Sequence, residues 1–201
     1  ILALSFLNAQ KIVHLEGSYD LDGDNLLEFI SLELNPDKNV FPTVVKYNEV
    51  DQDGYQSSIW EFDAPKELDG YFVDAKIGDL DGDGIPDLIV VMNLSRFGMN
   101  STPHVFVAVY SWEDGSFSEL PSITLDIGKQ DRSLRCNNFS MLDHDADGDQ
   151  ELVLSLGSPY RGFAILDLDS QGRLVIIKKI RPDEMLVGSG LLYSAVVDYD
   201  N

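Results

Sequence analysis

The chain has 201 residues, enough for one large or two small domains, and its 44% hydrophobic and 24% charged content is that of a globular protein. Thirty-five acids stand against 14 Lys+Arg, a formal net charge of -21, and that field repels nucleic acid and anionic membrane surfaces while attracting cations. The single cysteine, Cys136, excludes an intrachain disulfide and a Cys-based zinc site, and no run approaches the ~18 continuous apolar residues of a membrane span.

In chain order, the first segment is "ILALSFLNAQ", residues 1–10, an apolar run followed by small and polar residues. It resembles the back half of a secretory signal peptide without its Met and basic start; the competing reading is a first β-strand. Residues 11–201 then read as one repeating unit. "YDLDGDNLLEFISLEL" from Tyr19, "GDLDGDGIPDLIVVMN" from Gly78 and "LDHDADGDQELVLSLG" from Leu142 superimpose. Each carries acids at loop positions 1, 3, 5 and 9. These are Asp20, Asp22, Asp24 and Glu28; Asp79, Asp81, Asp83 and Asp87; Asp143, Asp145, Asp147 and Glu151. A fourth copy opens at Asp198 and Asp200 in "VVDYDN". The first acids recur about every sixty residues, a repeat that chance does not readily produce.

Between the loops the pattern is β. "YFVDAKIG" alternates before the second loop and "LIVVM" follows it as a buried run. Hairpins are expected at 43–62 around Asp53-Gly54, at 105–120 around Asp114-Gly115, and at 162–177 around Gln171-Gly172. "LNPDKN", "DAPKELDG" and "IRPDEM" punctuate the joins. Each unit thus reads strand, acidic loop, strand, hairpin. Four antiparallel strands recurring radially are the blade plan of a β-propeller, so the expected fold is all-β: a partial propeller, inside a longer reading frame, with blades carrying DxDxDGxx[DE] loops.

Crowded carboxylates repel one another and raise one another's pKa unless a cation sits among them. Calcium takes six to eight hard oxygens and tolerates irregular geometry, whereas magnesium keeps its waters. About three Ca2+ sites are expected, with carboxylates from positions 1, 3, 5 and 9 and the backbone carbonyls of position 7: Leu26, Ile85 and Asp149. Gly84 and Gly148 at position 6 permit the left-handed backbone of a sharp loop; Asn25 in the first loop is less tolerant, so that site is expected to be the weaker. An EF-hand would need Glu at position 12, where Ser31, Val90 and Leu154 stand. "DQDG" (51–54) and "DLDSQG" (167–172) have Ile59 and Val175 at position 9 and read as hairpin turns.

"FVDAKIGDLDGDGIPDLIVV" resembles the FG-GAP or VCBS repeat, the calcium-binding blade of integrin-α-like propellers, and "LSLGSPY" (154–160) is similar to its Gly-Ala-Pro element. The resemblance spans about Lys11 to Asn201, although the Phe-Gly element is not evident and the first two units lack Gly-Ala-Pro. It implies a propeller of about seven blades, calcium between the first and second strands, and an extracellular or cell-surface setting.

Catalytic motifs are not evident. His14, His104 and His144 fall in separate units without metalloprotease spacing, and "VGSGLL" lacks a nucleophile elbow. Trp60, Trp112, Tyr160 and Phe163 read as packing residues before sugar platforms, and "NLS", "NST" and "NFS" fit a glycosylation pattern too short to weigh. The expectation is a secreted or surface calcium-binding module that binds a protein or glycan ligand. The alternatives are the propeller part of a carbohydrate-active or phospholipase-type enzyme, and a structural spacer of a large surface protein.

Overall fold

The computed structural model describes residues 11–34, 41–64, 70–94, 104–127, 135–157 and 162–180. The opening segment 1–10 and the fourth repeat from Asp198 lie outside the described residues, as does the end of "LSLGSPY". Among the described residues there are strands and no helix, so none is long and apolar enough to cross a membrane.

The strands fall into three consecutive antiparallel meanders. The first is β1 (Lys11–Tyr19), β2 (Leu27–Leu34), β3 (Val44–Val50) and β4 (Gln56–Asp63), hydrogen-bonded in that order. The second holds β5 (Gly70–Gly78), β6 (Asp87–Leu94), β7 (His104–Glu113), β8 (Ser116–Phe117) and β9 (Ile123–Asp126). The third is β10 (Cys136–Leu142), β11 (Glu151–Leu156), β12 (Gly162–Leu168) and β13 (Leu174–Ile180). Three meanders from three sequence units are what the repeat predicts. Among the described residues they form a stack and not a closed ring.

The second sheet lies between the other two, and β6 shows why. All eight of its residues are buried. Leu88, Val90, Met92 and Leu94 enter one core with Ile30, Leu32, Tyr47 and Trp60 of the first sheet. Ile89 and Val91, with Val105, Val107 and Val109 of β7, enter another with Phe139, Leu152 and Leu154 of the third. A strand covered on both faces needs no polar face, so it reads as a continuous apolar run rather than an alternation. β2 faces the second sheet on one side only. Its other side carries a polar chain in which Gln56 donates to Asn48, Asn48 to the Ser31 hydroxyl, and Ser31 to Glu33, which pairs with Lys46 at 3.1 Å.

The three expected hairpins form. Gly54, Gly115 and Gly172 take φ of 84°, 82° and 70° at their tips, values that glycine reaches without a Cβ penalty. Asp51 and Asp169, from the two lookalike acidic runs, accept amides of their own turns. The middle hairpin differs from its expected form. Its return strand β8 is two residues long, and β7 pairs mainly with β9, Phe106–Val109 against Ile123–Asp126. Pro121 intervenes in "SELPSITLD"; without an N–H it cannot extend the ladder, and the pairing resumes beyond it.

Candidate metal centres

Each acidic loop joins the first and second strands of its sheet, β1 to β2, β5 to β6 and β10 to β11. A shared hydrogen-bond frame shapes them. The position-2 amide donates to the position-9 carboxylate: Leu21 to Glu28 at 2.6 Å, Leu80 to Asp87 at 3.4 Å, and His144 to Glu151. The position-7 amide donates to position 5: Leu26 to Asp24 and Ile85 to Asp83 at 2.7 Å, Asp149 to Asp147 at 3.1 Å. In the first two loops the position-6 amide also donates to position 1, Asn25 to Asp20 and Gly84 to Asp79. Position 7 is therefore tied into the loop through its N–H.

This frame turns carboxylates toward one another. One oxygen each from Asp20, Asp22 and Asp24 lies within 4.8 Å of the others, as does one each from Asp79, Asp81 and Asp83. In the third loop the convergent set is Asp143, Asp145 and Glu151, and Asp147 stands outside it although it accepts the Asp149 amide as its counterparts do. Asp87 is not within its loop's closest trio, but it is buried at the foot of that loop and held by Leu80.

The backbone demands are double those expected. Position 6 takes positive φ in Asn25 (65°), Gly84 (82°) and Gly148 (104°). Position 4 does so too, in Gly23 (78°), Gly82 (68°) and Ala146 (62°).

Position 9 is where electrostatics and packing meet. Glu28, Asp87 and Glu151 are 0%, 6% and 2% exposed. Burial pushes the Asp87 carboxyl up to about 6, with the Leu80 amide pulling the other way. Burial likewise raises Glu151, against the His144 amide. Glu28 accepts both the Leu21 amide and the Tyr47 hydroxyl on Oε2, while Oε1 is buried without a hydrogen-bond partner; Asp79 Oδ1 is similarly orphaned. Buried oxygens left unpaired are costly in isolation. Convergent oxygen-only donors with spare lone pairs suit a hard divalent cation and do not suit zinc or copper, which favour nitrogen and sulfur.

Sequence spacing misses the residues that pairing register adds. Glu49 of β3 stands opposite Glu28, and Ser111 of β7 opposite Asp87. Asp167 of β12 adds negative charge beside Glu151 and raises it. These lie 16 to 24 residues from their partners, beyond any loop motif, so only a register prediction would find them.

His144 is exposed, and His104 is buried 3.3 Å from Asp126. His14, Glu16, Asp74 and Lys76 form a charged cluster between β1 and β5. Cys136 is buried in the core, where burial raises its thiol pKa and makes it a poor nucleophile. Trp60 packs edge-on to Tyr110, and Trp112 to Phe117. Tyr160 lies outside the described residues. Asn93 of the "NLS" triplet is buried and paired to the Cys136 backbone, which rules it out as a surface acceptor in the folded chain.

These features define an all-β repeat protein whose stacked antiparallel sheets, of four, five and four strands among the described residues, each present an acidic loop. Residues 79–154 match the family model described as the FG-GAP-like repeat. The match runs from the first acid of the second loop into β11, and the chain carries a repeat of the FG-GAP/VCBS type. No curated protein matches the chain.

Proposed function

We propose that the chain is a calcium-binding module of the extracellular binding or adhesion kind, with structural rather than catalytic metal sites. The observation that carries this is the common frame: three loops, far apart in sequence, hold position 9 buried against the position-2 amide. Bound Ca2+ would supply the positive charge that lets the converging carboxylates remain ionised. Asp20, Asp22, Asp24 and Glu28 would hold it in the first loop, Asp79, Asp81, Asp83 and Asp87 in the second, and Asp143, Asp145, Asp147 and Glu151 in the third, with the carbonyls of Leu26, Ile85 and Asp149 completing the sets. The protein's part is to preorganise. Asx-type bonds fix the loop, and buried position 9 ties each loop to its sheet core, so that metal binding favours the folded state by mass action.

An extracellular setting agrees with this chemistry, since modules of that kind bind calcium at ~10⁻⁴–10⁻³ M. The FG-GAP-like repeat supports a binding role, with a protein or glycan as ligand. Calorimetric titration with Ca2+, alongside thermal unfolding in Ca2+ and in chelator, tests the metal reading. Saturable heat and a higher midpoint in Ca2+ than in Mg2+ are expected; no heat and an unchanged midpoint would overturn it. Glycan- and protein-array binding with and without EDTA then tests the ligand class.

A further inference from the structure

The first loop has Asn25 where the others have glycine, which by itself marks it as the poorest of the three sites. Its surroundings say otherwise. Glu49 sits directly across from Glu28 in the β2–β3 ladder. Like charges directly opposed destabilise a sheet, so the pair requires a compensating reason. One oxygen each from Asp22, Glu28 and Glu49 lies within 4.8 Å of the other two. Glu28 is fully buried; Leu21 and Tyr47 occupy Oε2, and Oε1 has no hydrogen-bond partner. A buried carboxylate oxygen so placed has a lone pair free for a cation. In the second sheet the same ladder position is Ser111, a neutral residue, opposite Asp87.

We propose that Glu49 is a ligand of the metal held by the first loop, supplied by the third strand, and that this makes the first site tighter than the second. The inference rests on the reading that the loops hold Ca2+. Two trios of carboxylate oxygens meet at the first loop through Asp22, one with Asp20 and Asp24 and the other with Glu28 and Glu49, whereas the second loop has the single trio Asp79, Asp81 and Asp83. Affinity for calcium rises with ligand charge count. Asn25 already holds the positive φ that the loop demands, so the missing glycine removes no ligand.

The test compares the whole chain with Glu49→Gln, Glu49→Asp and the loop variant Asp24→Asn, by Ca2+ titration calorimetry and by thermal unfolding in chelator and in Ca2+. Glu49→Gln should weaken the tightest site roughly tenfold or more and leave the others unchanged. It should also raise the midpoint in chelator, by relieving repulsion, while shrinking the rise that Ca2+ produces. Glu49→Asp keeps the charge but shortens the reach, and should lose affinity without the gain in chelator. Combined with Asp24→Asn, Glu49→Gln should lower the affinity of that same site further and leave the other two unchanged. Calcium binding that is unaltered by Glu49→Gln overturns the inference and leaves the calcium reading standing. So does an equal loss of stability with and without Ca2+, which would mark a purely structural residue. A wild-type chain that takes up no Ca2+ overturns the parent reading instead.

Discussion

The Asp149 carboxylate of the third acidic loop occupies the space where a side chain on Gly82 of the second loop would go: a Cβ built on Gly82 would stand 1.8 Å from Asp149 Oδ1. Two loops from neighbouring sheets therefore touch through a position that only glycine can fill. Gly82 also has φ 68°, so Gly82→Ala carries two penalties, left-handed strain of about 1–2 kcal/mol and displacement of Asp149. Gly84, at φ 82° with nothing within 4 Å of a built Cβ, separates them. Urea unfolding should show Gly82→Ala to be costlier than Gly84→Ala, and the excess should vanish in an Asp149→Ala background. Equal costs in all backgrounds would mean that the loops do not bear on each other.

Ala146 is the mirror case. It holds φ 62° at the loop position where the first two loops have Gly23 and Gly82. Left-handed backbone costs an L-residue about 1–2 kcal/mol, and glycine returns roughly 0.4–1 kcal/mol of that as extra freedom in the unfolded chain. Ala146→Gly should stabilise the chain by roughly 0.5–1 kcal/mol, seen as a higher denaturant midpoint with an unchanged slope. A destabilised variant would show that Ala146 makes a compensating contact.

The strands and the acidic loops were legible because both are written in local periodicity. Apolar alternation marked β5, and the doubly covered β6 announced itself as an unbroken apolar run. The loops were legible as acids in register. The position-4 demand was hidden by Ala146, a residue that does not advertise positive φ. Glu49 and Ser111 were hidden because they reach the loops through ladder register, and register depends on how hairpins close rather than on spacing. The split of the fourth strand into β8 and β9 turned on one proline within a run that otherwise reads as a single return strand.

Asn93 shows a further kind of information that the sequence conceals. Its side-chain amide donates to the Cys136 carbonyl at 2.8 Å and accepts the Cys136 amide at 2.9 Å. One side chain thus stands in for a β-ladder partner and stitches the second sheet to the third. Asn93→Ala leaves two buried backbone groups unpaired, each worth about 1–3 kcal/mol. Asn93→Asp keeps the acceptor only, so it should pair the Cys136 amide but not its carbonyl. Both should lower stability by more than Asn138→Ala on the same triplet pattern, and chain secreted from eukaryotic cells should carry no glycan at Asn93. A glycan found there by mass spectrometry on folded protein would contradict the buried geometry.

His14 supplies the pH dependence. Its Nε2 lies 3.3 Å from Asp74 Oδ1 and 3.5 Å from Glu16 Oε2, at ion-pair distance rather than in aligned hydrogen-bond geometry. Lys76 bridges the same two carboxylates from the other side, at 2.9 Å from Glu16 and 3.6 Å from Asp74. The Asp74 contact raises the His14 pKa; partial burial and the Lys76 charge oppose it, and Glu16 adds to it. A folded value above the unfolded one means that protonation favours folding. The contribution is complete below the unfolded value of about 6.5 and is lost as pH rises through the higher folded value. Asp87, pushed up to about 6 by burial, also favours folding at lower pH when no cation is bound, but its contribution is lost below the histidine's window, as pH rises from the ordinary carboxylate range to about 6. The difference between wild type and His14→Gln, measured in chelator, isolates the histidine. That difference should be largest near pH 6 and shrink toward pH 8, with β1 and β5 less firmly joined in the variant; a difference flat across this range would show that the imidazolium does not link the two sheets.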